Sequence, residues 1–349
     1  MTFKKIQHLL LILFLFVLPW QTRYIWQEGV LANGHWEYGT FSVYGTEILL
    51  WVILLLFFIQ NFFKKQIWVD LFIQPKGIKN ILFLGGIIAI SISVVCSDHF
   101  WVSYQYVIRL LEALAISIVY VQQDERKRYT YLLALWWGGV VQGILAIYQF
   151  LTQYVVGSKW LGMAVQEPQN GGTSVIEFGI ERWLRAYGSF GSPNSLGIYL
   201  AVLFVVGLIV YLTVDSPRYK LLISAGQLFI VSGLAFSFSR SAWVAALLGV
   251  FSLLLILYSK QKHSTSIYAK QLAFALVAVT FWILIFYPVF AARFNIHNRL
   301  EAQSISERQG QYAEGLSFIR SNLLFGVGPG AYTYALSKKY PDLFVWQYQ

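Results

Sequence analysis

Charge is scarce in this sequence. Asp, Glu, Lys and Arg make up 12% of its 349 residues, against about 25% in an average soluble domain. A globule of this length with so few charges could not stay in water, which excludes a soluble enzyme, a disordered chain and a coiled coil. Cysteine is nearly absent too. Cys96 stands alone, so no internal disulfide can form, a disulfide scaffold is excluded, and nothing follows about redox compartment. No His/Cys cluster has metal-ligand spacing, so neither a metal nor another cofactor is expected. There is no internal repeat, low-complexity tract or soluble domain. What the sequence has in plenty is apolar residues, 57% of the total, with 18% aromatic. They come in runs of about 20, the length a helix needs to cross a ~30 Å hydrocarbon core. Barrel strands would instead alternate apolar and polar. The expected fold class is all-α: a polytopic transmembrane helical bundle forming a single integral membrane domain over residues 1–349.

Nine apolar stretches are read as spans, at about 6–20, 43–63, 78–96, 100–121, 129–153, 195–213, 219–237, 241–259 and 271–290. Lys4 and Lys5 precede the first, and no small-residue cleavage site follows Pro19 and Trp20, so it reads as a retained anchor. With the N-terminus in the cytoplasm, 14 of the 26 basic residues fall on short inner segments and 11 on outer ones, with Arg109 inside a span. The higher density inside is the positive-inside pattern. Inside, 11 of the 14 are Lys; outside, 8 of the 11 are Arg. Arginine's planar fork of donors suits phosphate, so the outer bias points to a phosphate-bearing ligand there, unless these are loop arginines paired with nearby Glu. The net charge of +10 would suggest nucleic acid for a soluble protein. In a membrane it points to lysine-rich loops, membrane lipids and anionic lipid-linked groups, and no nucleic-acid partner is expected.

Two outer segments are long, about 154–194 and 291–349. The first holds the turn cluster Glu167-Pro-Gln-Asn-Gly-Gly; the second has helical spacing from Ser306 to Ile319. Nine spans put the C-terminus outside, and the chain stops at Trp346-Gln347-Tyr348-Gln349 without a charged tail. The expectation is that the gene product extends past Gln349.

Three motifs lie on the outer side. Arg182-Trp-Leu-Arg185-Ala-Tyr-Gly188-Ser-Phe-Gly191-Ser-Pro193-Asn194 leads into a span. If helical, Arg182 and Arg185 share a face; Gly188 and Gly191 permit close backbone approach, and Asn194 can cap the helix. A helix start beside two arginines is an anion site, or else a juxtamembrane turn with snorkelling arginines. Ser237-Phe-Ser-Arg240-Ser-Ala-Trp243 joins two spans with almost no loop. An arginine there costs a few kcal/mol unless paired or solvated, which favours function over contact with headgroups. Third, Arg308 precedes Gly326-Val-Gly-Pro-Gly330. The glycines lack the Lys-Ser/Thr ending of a nucleotide loop, and the plain reading is a helix stop.

Weaker candidates remain. Arg109 and Glu112, three apart in one span, read as a structural ion pair before a proton relay. Asp98 and His297 are possible bases, though more plainly surface groups, and no pair is fixed among Glu167, Glu177 and Glu181.

Taken together, Arg185-Ala-Tyr-Gly-Ser-Phe-Gly-Ser-Pro-Asn, Phe238-Ser-Arg-Ser-Ala-Trp243, Arg308 and Gly326-Val-Gly-Pro-Gly330 resemble the O-antigen ligase / O-antigen polymerase superfamily. So does Val140-Val-Gln-Gly-Ile-Leu-Ala-Ile-Tyr-Gln149, which is similar to the span before the family's first large outer loop. The resemblance covers about residues 78–349 and marks the chain as C-terminally truncated. It implies a metal-independent, inverting glycosyltransferase in the inner (cytoplasmic) membrane with an extracytoplasmic active site. The donor would be an undecaprenyl-diphosphate-linked glycan; the acceptor a glycan, lipid A-core or protein. Arg185 and Arg308 would be the catalytic residues, with Arg182, Arg185, Arg240, Gly188 and Asn194 around the diphosphate. The family's His-Asn-type motif would lie beyond Gln349, so this fragment is not expected to transfer glycan, and ligase is not separable from repeat-unit polymerase. A lipid-linked oligosaccharide flippase is the rival of another class, but it should carry polar residues within many spans. A structural scaffold leaves the arginine bias unexplained.

Overall fold

The computed structural model describes residues 3–31, 34–62, 78–259, 265–295 and 297–341. Lys64, Lys65, Lys76, Lys260 and Lys262 of the charge count, the end of the second apolar stretch and the tail Trp346-Gln347-Tyr348-Gln349 lie outside the described residues. The chain divides into two compact units. One comprises Met1–Gln7, Arg23–Gln123 and Ser306–Gln349; the other comprises His8–Thr22 and Asp124–Ile305. Helices α1 (Phe3–Val17) and α11 (Arg299–Ser321) contribute residues to both.

In the first unit, β1 (Arg23–Gln27) pairs antiparallel with β4 (Phe41–Tyr44), and β2 (Val30–Leu31) with β3 (Gly34–His35). Helices α2 (Gly45–Asn61), α3 (Ile78–Val95), α4 (Phe100–Val121) and α12 (Tyr332–Lys339) complete it. At the start of α2 the Glu47 carboxylate turns back to accept the Tyr44 backbone N–H at 2.8 Å, which satisfies a donor the helix leaves open.

The second unit is built from α5 (Glu125–Thr152), the hairpin β5 (Val175–Phe178) and β6 (Glu181–Leu184), α6 (Pro193–Thr213), α7 (Pro217–Phe236), α8 (Arg240–Ser259), α9 (Thr265–Ile285) and α10 (Tyr287–Phe294). Helices α5, α6, α7 and α8 pack on one another around Trp136, Leu196, Leu200, Leu203 and Ile230. Inside this apolar core an unpaired polar group is costly, and Gln227 shows how one is accommodated. Gln227 accepts the Trp136 indole N–H at 3.5 Å and donates to the Phe204 carbonyl at 2.9 Å. Helices α8 and α9 also turn Phe251 and Leu284 outward, a surface suited to lipid rather than water.

The chain is mostly helical and is a multi-pass membrane protein by its apolar helices. Every apolar stretch read from the sequence coincides with a helix. Among the described residues, five helices are long and apolar enough to cross a membrane: α4, α5, α6, α7 and α8. Helix α2 and residues 85–95 of α3 are apolar but shorter, and a bent segment beginning in α9 would make a sixth span. The last apolar stretch breaks at Phe286, because Pro288 cannot continue the ladder of α9 and instead sits in the first turn of α10. The all-α expectation needs correction at the loops. Segments 23–44 and 175–184 form short antiparallel ladders, which give their backbone groups partners.

Candidate functional site

The site in the second unit begins with two glutamines on α5. Gln142 and Gln149 are seven residues apart, two helical turns, and fully buried on one face of an otherwise apolar span. Both reach the stretch that follows β6. Gln149 Oε1 accepts the N–H groups of Tyr187 and Gly188 at 3.0 and 2.8 Å, and its Nε2 donates to the Gly188 carbonyl at 2.8 Å. Gln142 Oε1 accepts the Ser189 N–H at 2.8 Å. Gly188 has φ +58°, and a Cβ there would lie 2.6 Å from Gln142 Oε1. Only glycine fits a left-handed residue so near another side chain. The chain then enters α6, where the Ser192 hydroxyl accepts the Ser195 N–H at 3.2 Å and Pro193 takes the first helical position. Ser192, not Asn194, is therefore the cap, and proline follows the cap as its fixed φ and missing N–H require.

Asn194 has a different task. Its Oδ1 accepts from Arg185 NH2 at 2.7 Å, while Arg185 Nε donates to the Ser237 carbonyl at 2.9 Å. Arg185 is buried and so fastens the stretch after β6 to the turn between α7 and α8. That turn, residues 237–239, is where the cationic groups gather. Phe238 sits at φ +47° with its ring wholly buried against Phe150 and Phe290. The strained residue aims its carbonyl at Arg293 Nε, 2.9 Å away. Arg293, at the end of α10, also pairs with Glu301 of α11. Arg240, the first residue of α8, reaches the same carboxylate at 3.0 Å. Glu301 and Arg293 are buried, whereas Arg240 is 27% exposed. Among the described residues, three guanidinium groups thus meet one turn, with the Glu301 carboxylate among them. Beside them α6, α7, α8, α9 and α10 line a partly open apolar cavity of about 420 Å³, with Leu234, Trp243 and Phe290 in its walls.

The other sequence candidates fall as follows. Arg182 and Arg185 do not share a helical face, since Arg182 is in β6 and Arg185 just follows it. Arg182 stands opposite Glu177 in the hairpin, yet Glu177 pairs with Arg299 at 2.7 Å. The Arg182 Nε is buried without a hydrogen-bond partner among the described residues. Glu181 accepts the Trp183 indole N–H at 2.8 Å. Asn170 N–H closes a turn on the Glu167 carbonyl. His297 is exposed, its backbone N–H bound to Asn295. Arg308 lies exposed on the part of α11 that belongs to the first unit.

In that unit the glycine cluster is more than a helix stop. Gly328 has φ +99°, and a Cβ there would lie 2.4 Å from Ser97 Oγ, while Ser97 donates to the Val327 carbonyl at 3.0 Å. The loop therefore lies flat on the corner between α3 and α4. Asp98, at the same corner, pairs with Lys338 of α12 at 3.0 Å; chiefly this hydrogen bond holds its carboxyl below the usual range, which makes it a weaker base. Arg109 pairs with Glu47 of α2 at 3.0 Å rather than with Glu112, because α2 packs alongside α4.

Sequence reasoning missed Gln142, Gln149, Arg293 and Glu301. The first two carried a signal, paired glutamines two turns apart in an apolar run; the others did not.

The second and third motifs lie within a stretch that matches a family model. The O-antigen ligase family model matches residues 225–349. That stretch is similar to the O-antigen ligase family. The match takes in the 237–240 turn, Arg293, Glu301, Arg308 and the glycine cluster, and begins after Arg182 and Arg185. No curated protein and no solved structure matches the chain.

Proposed function

We propose that the protein is an O-antigen ligase-like membrane glycosyltransferase, which moves a glycan from an undecaprenyl-diphosphate carrier to a sugar or protein acceptor at the extracytoplasmic face of the inner membrane. The observation that carries this reading is the excess of guanidinium over carboxylate at the 237–240 turn, next to an apolar cavity. A polyprenyl diphosphate needs both: a dry, apolar place for its tail and fixed cations at its head. As the glycosidic bond breaks, negative charge grows on the leaving diphosphate, and donors already held in place stabilise it without reorganising. Arg185 and Arg240 are the proposed diphosphate ligands, with Arg182, whose buried Nε lacks a partner among the described residues, joining them. Gly188 and Asn194 shape and brace that site. Arg308 is proposed to act from the last outer segment, and inversion at the sugar carbon is the proposed stereochemistry.

The reading is tested on membranes carrying the protein expressed from its own gene, supplied with labelled undecaprenyl-diphosphate glycan. Label appearing on an acceptor supports the transferase. Label crossing the bilayer with the diphosphate bond intact supports a flippase and overturns it.

A further inference from the structure

The first unit contains a second cavity that the arginine turn does not use. It measures about 480 Å³ and is walled by β1, β4, α2 and α4. Volumes of roughly 300–1,000 Å³ with mostly apolar walls and a few polar groups are those of small-molecule sites. Five aromatic rings line it: Trp26, Phe41, Trp51, Trp101 and Tyr104. Trp26 and Trp101 are 54% and 68% exposed, so their faces are not consumed by the core.

The polar groups narrow the ligand. Arg109 is neutralised by Glu47, whose second oxygen already accepts the Tyr44 N–H. Glu112 accepts the Trp51 indole N–H with one oxygen, and its other oxygen takes no hydrogen bond from the described residues. Ser42 lines the cavity and carries a buried hydroxyl without a partner among the described residues. Two carboxylates against one guanidinium disfavour a phosphate. An ammonium ligand would face the Arg109 guanidinium, a like charge and a donor-only group that it cannot satisfy. A ligand whose hydroxyls both donate and accept, and whose C–H faces lie flat on aromatic rings, suits all of these groups.

We propose that this cavity is a saccharide subsite that takes a neutral pyranose ring. The identification of that ring as part of the transferred or accepting glycan rests on the function proposed above; the binding chemistry does not. The test uses purified protein in a detergent without a sugar headgroup, with neutral oligosaccharides of glucose, galactose, mannose and N-acetylglucosamine as probes. Saturation-transfer NMR should show ring protons of at least one probe in contact with protein. Trp101→Ala should weaken that contact at least tenfold, while Trp160→Ala, a change at an 87% exposed residue of the other unit, should leave it unchanged. No contact from any probe, equal contact in Trp101→Ala, or displacement of the sugar by choline would overturn the subsite. Sugar contact in a protein that transfers nothing would keep the subsite and count against the transferase; transfer without sugar contact would do the reverse.

Discussion

Arg293 shows what a linear pattern hides at the scale of one residue. In the sequence it is one more basic group after an apolar stretch. In the fold it is buried, donates to the strained Phe238 carbonyl and shares Glu301 with Arg240. Glu301 is hidden for the same reason: one carboxylate in a polar helix gives no sign that two arginines from other elements will bury it. Arg185 was legible because it sits in a motif with Gly188 and Asn194, yet its bond to Ser237 was not, since 52 residues separate the two. Removing one partner of a buried pair typically costs about 3–5 kcal/mol. Arg293→Gln should therefore lower the thermal midpoint of detergent-solubilised protein clearly more than Arg240→Gln, because Arg240 is the more exposed partner. Equal midpoints for the two variants would contradict the burial argument.

At the scale of elements, the helices follow from apolar runs and proline, and their positions were readable to within a few residues. The hairpins were not, because strands β1 and β4 are five and four residues long and lean on each other rather than on a strong alternation of their own. The flat packing of the glycine loop on the α3–α4 corner was also unreadable, since it depends on Ser97 lying beneath Gly328. The clip between Asp98 and Lys338 makes a pH prediction. A carboxyl whose pKa is depressed in the fold stabilises above its ordinary pKa, near ~4, and loses that contribution as pH falls through the depressed value. Protease release of α12 should therefore rise only below about pH 4. Lys338→Ala should abolish that pH step at Asp98; a step unchanged in Lys338→Ala would show that another group controls it.

For the whole molecule, composition alone excluded a soluble chain, and the charge count proposed an orientation that the fold by itself does not test. In a Cys96→Ser background, Asn170→Cys and Gln311→Cys should both react with a membrane-impermeant thiol reagent in cells whose outer membrane has been permeabilised. Protection of either until the inner membrane is broken would reverse the orientation. The central claim, that fixed arginines stabilise the departing diphosphate, is tested most directly by transfer rates of Arg185 variants in membranes carrying the protein expressed from its own gene. Because Arg185 also bonds Ser237 and Asn194, each variant must first show a wild-type thermal midpoint and insertion. Losing one charge-stabilising donor removes about 3–4 kcal/mol of transition-state stabilisation, so Arg185→Ala should lose roughly 10²–10³ in rate. Arg185→Lys should recover only part of this, for it keeps the charge without the fork. Wild-type turnover in a folded, inserted Arg185→Ala protein would contradict the account.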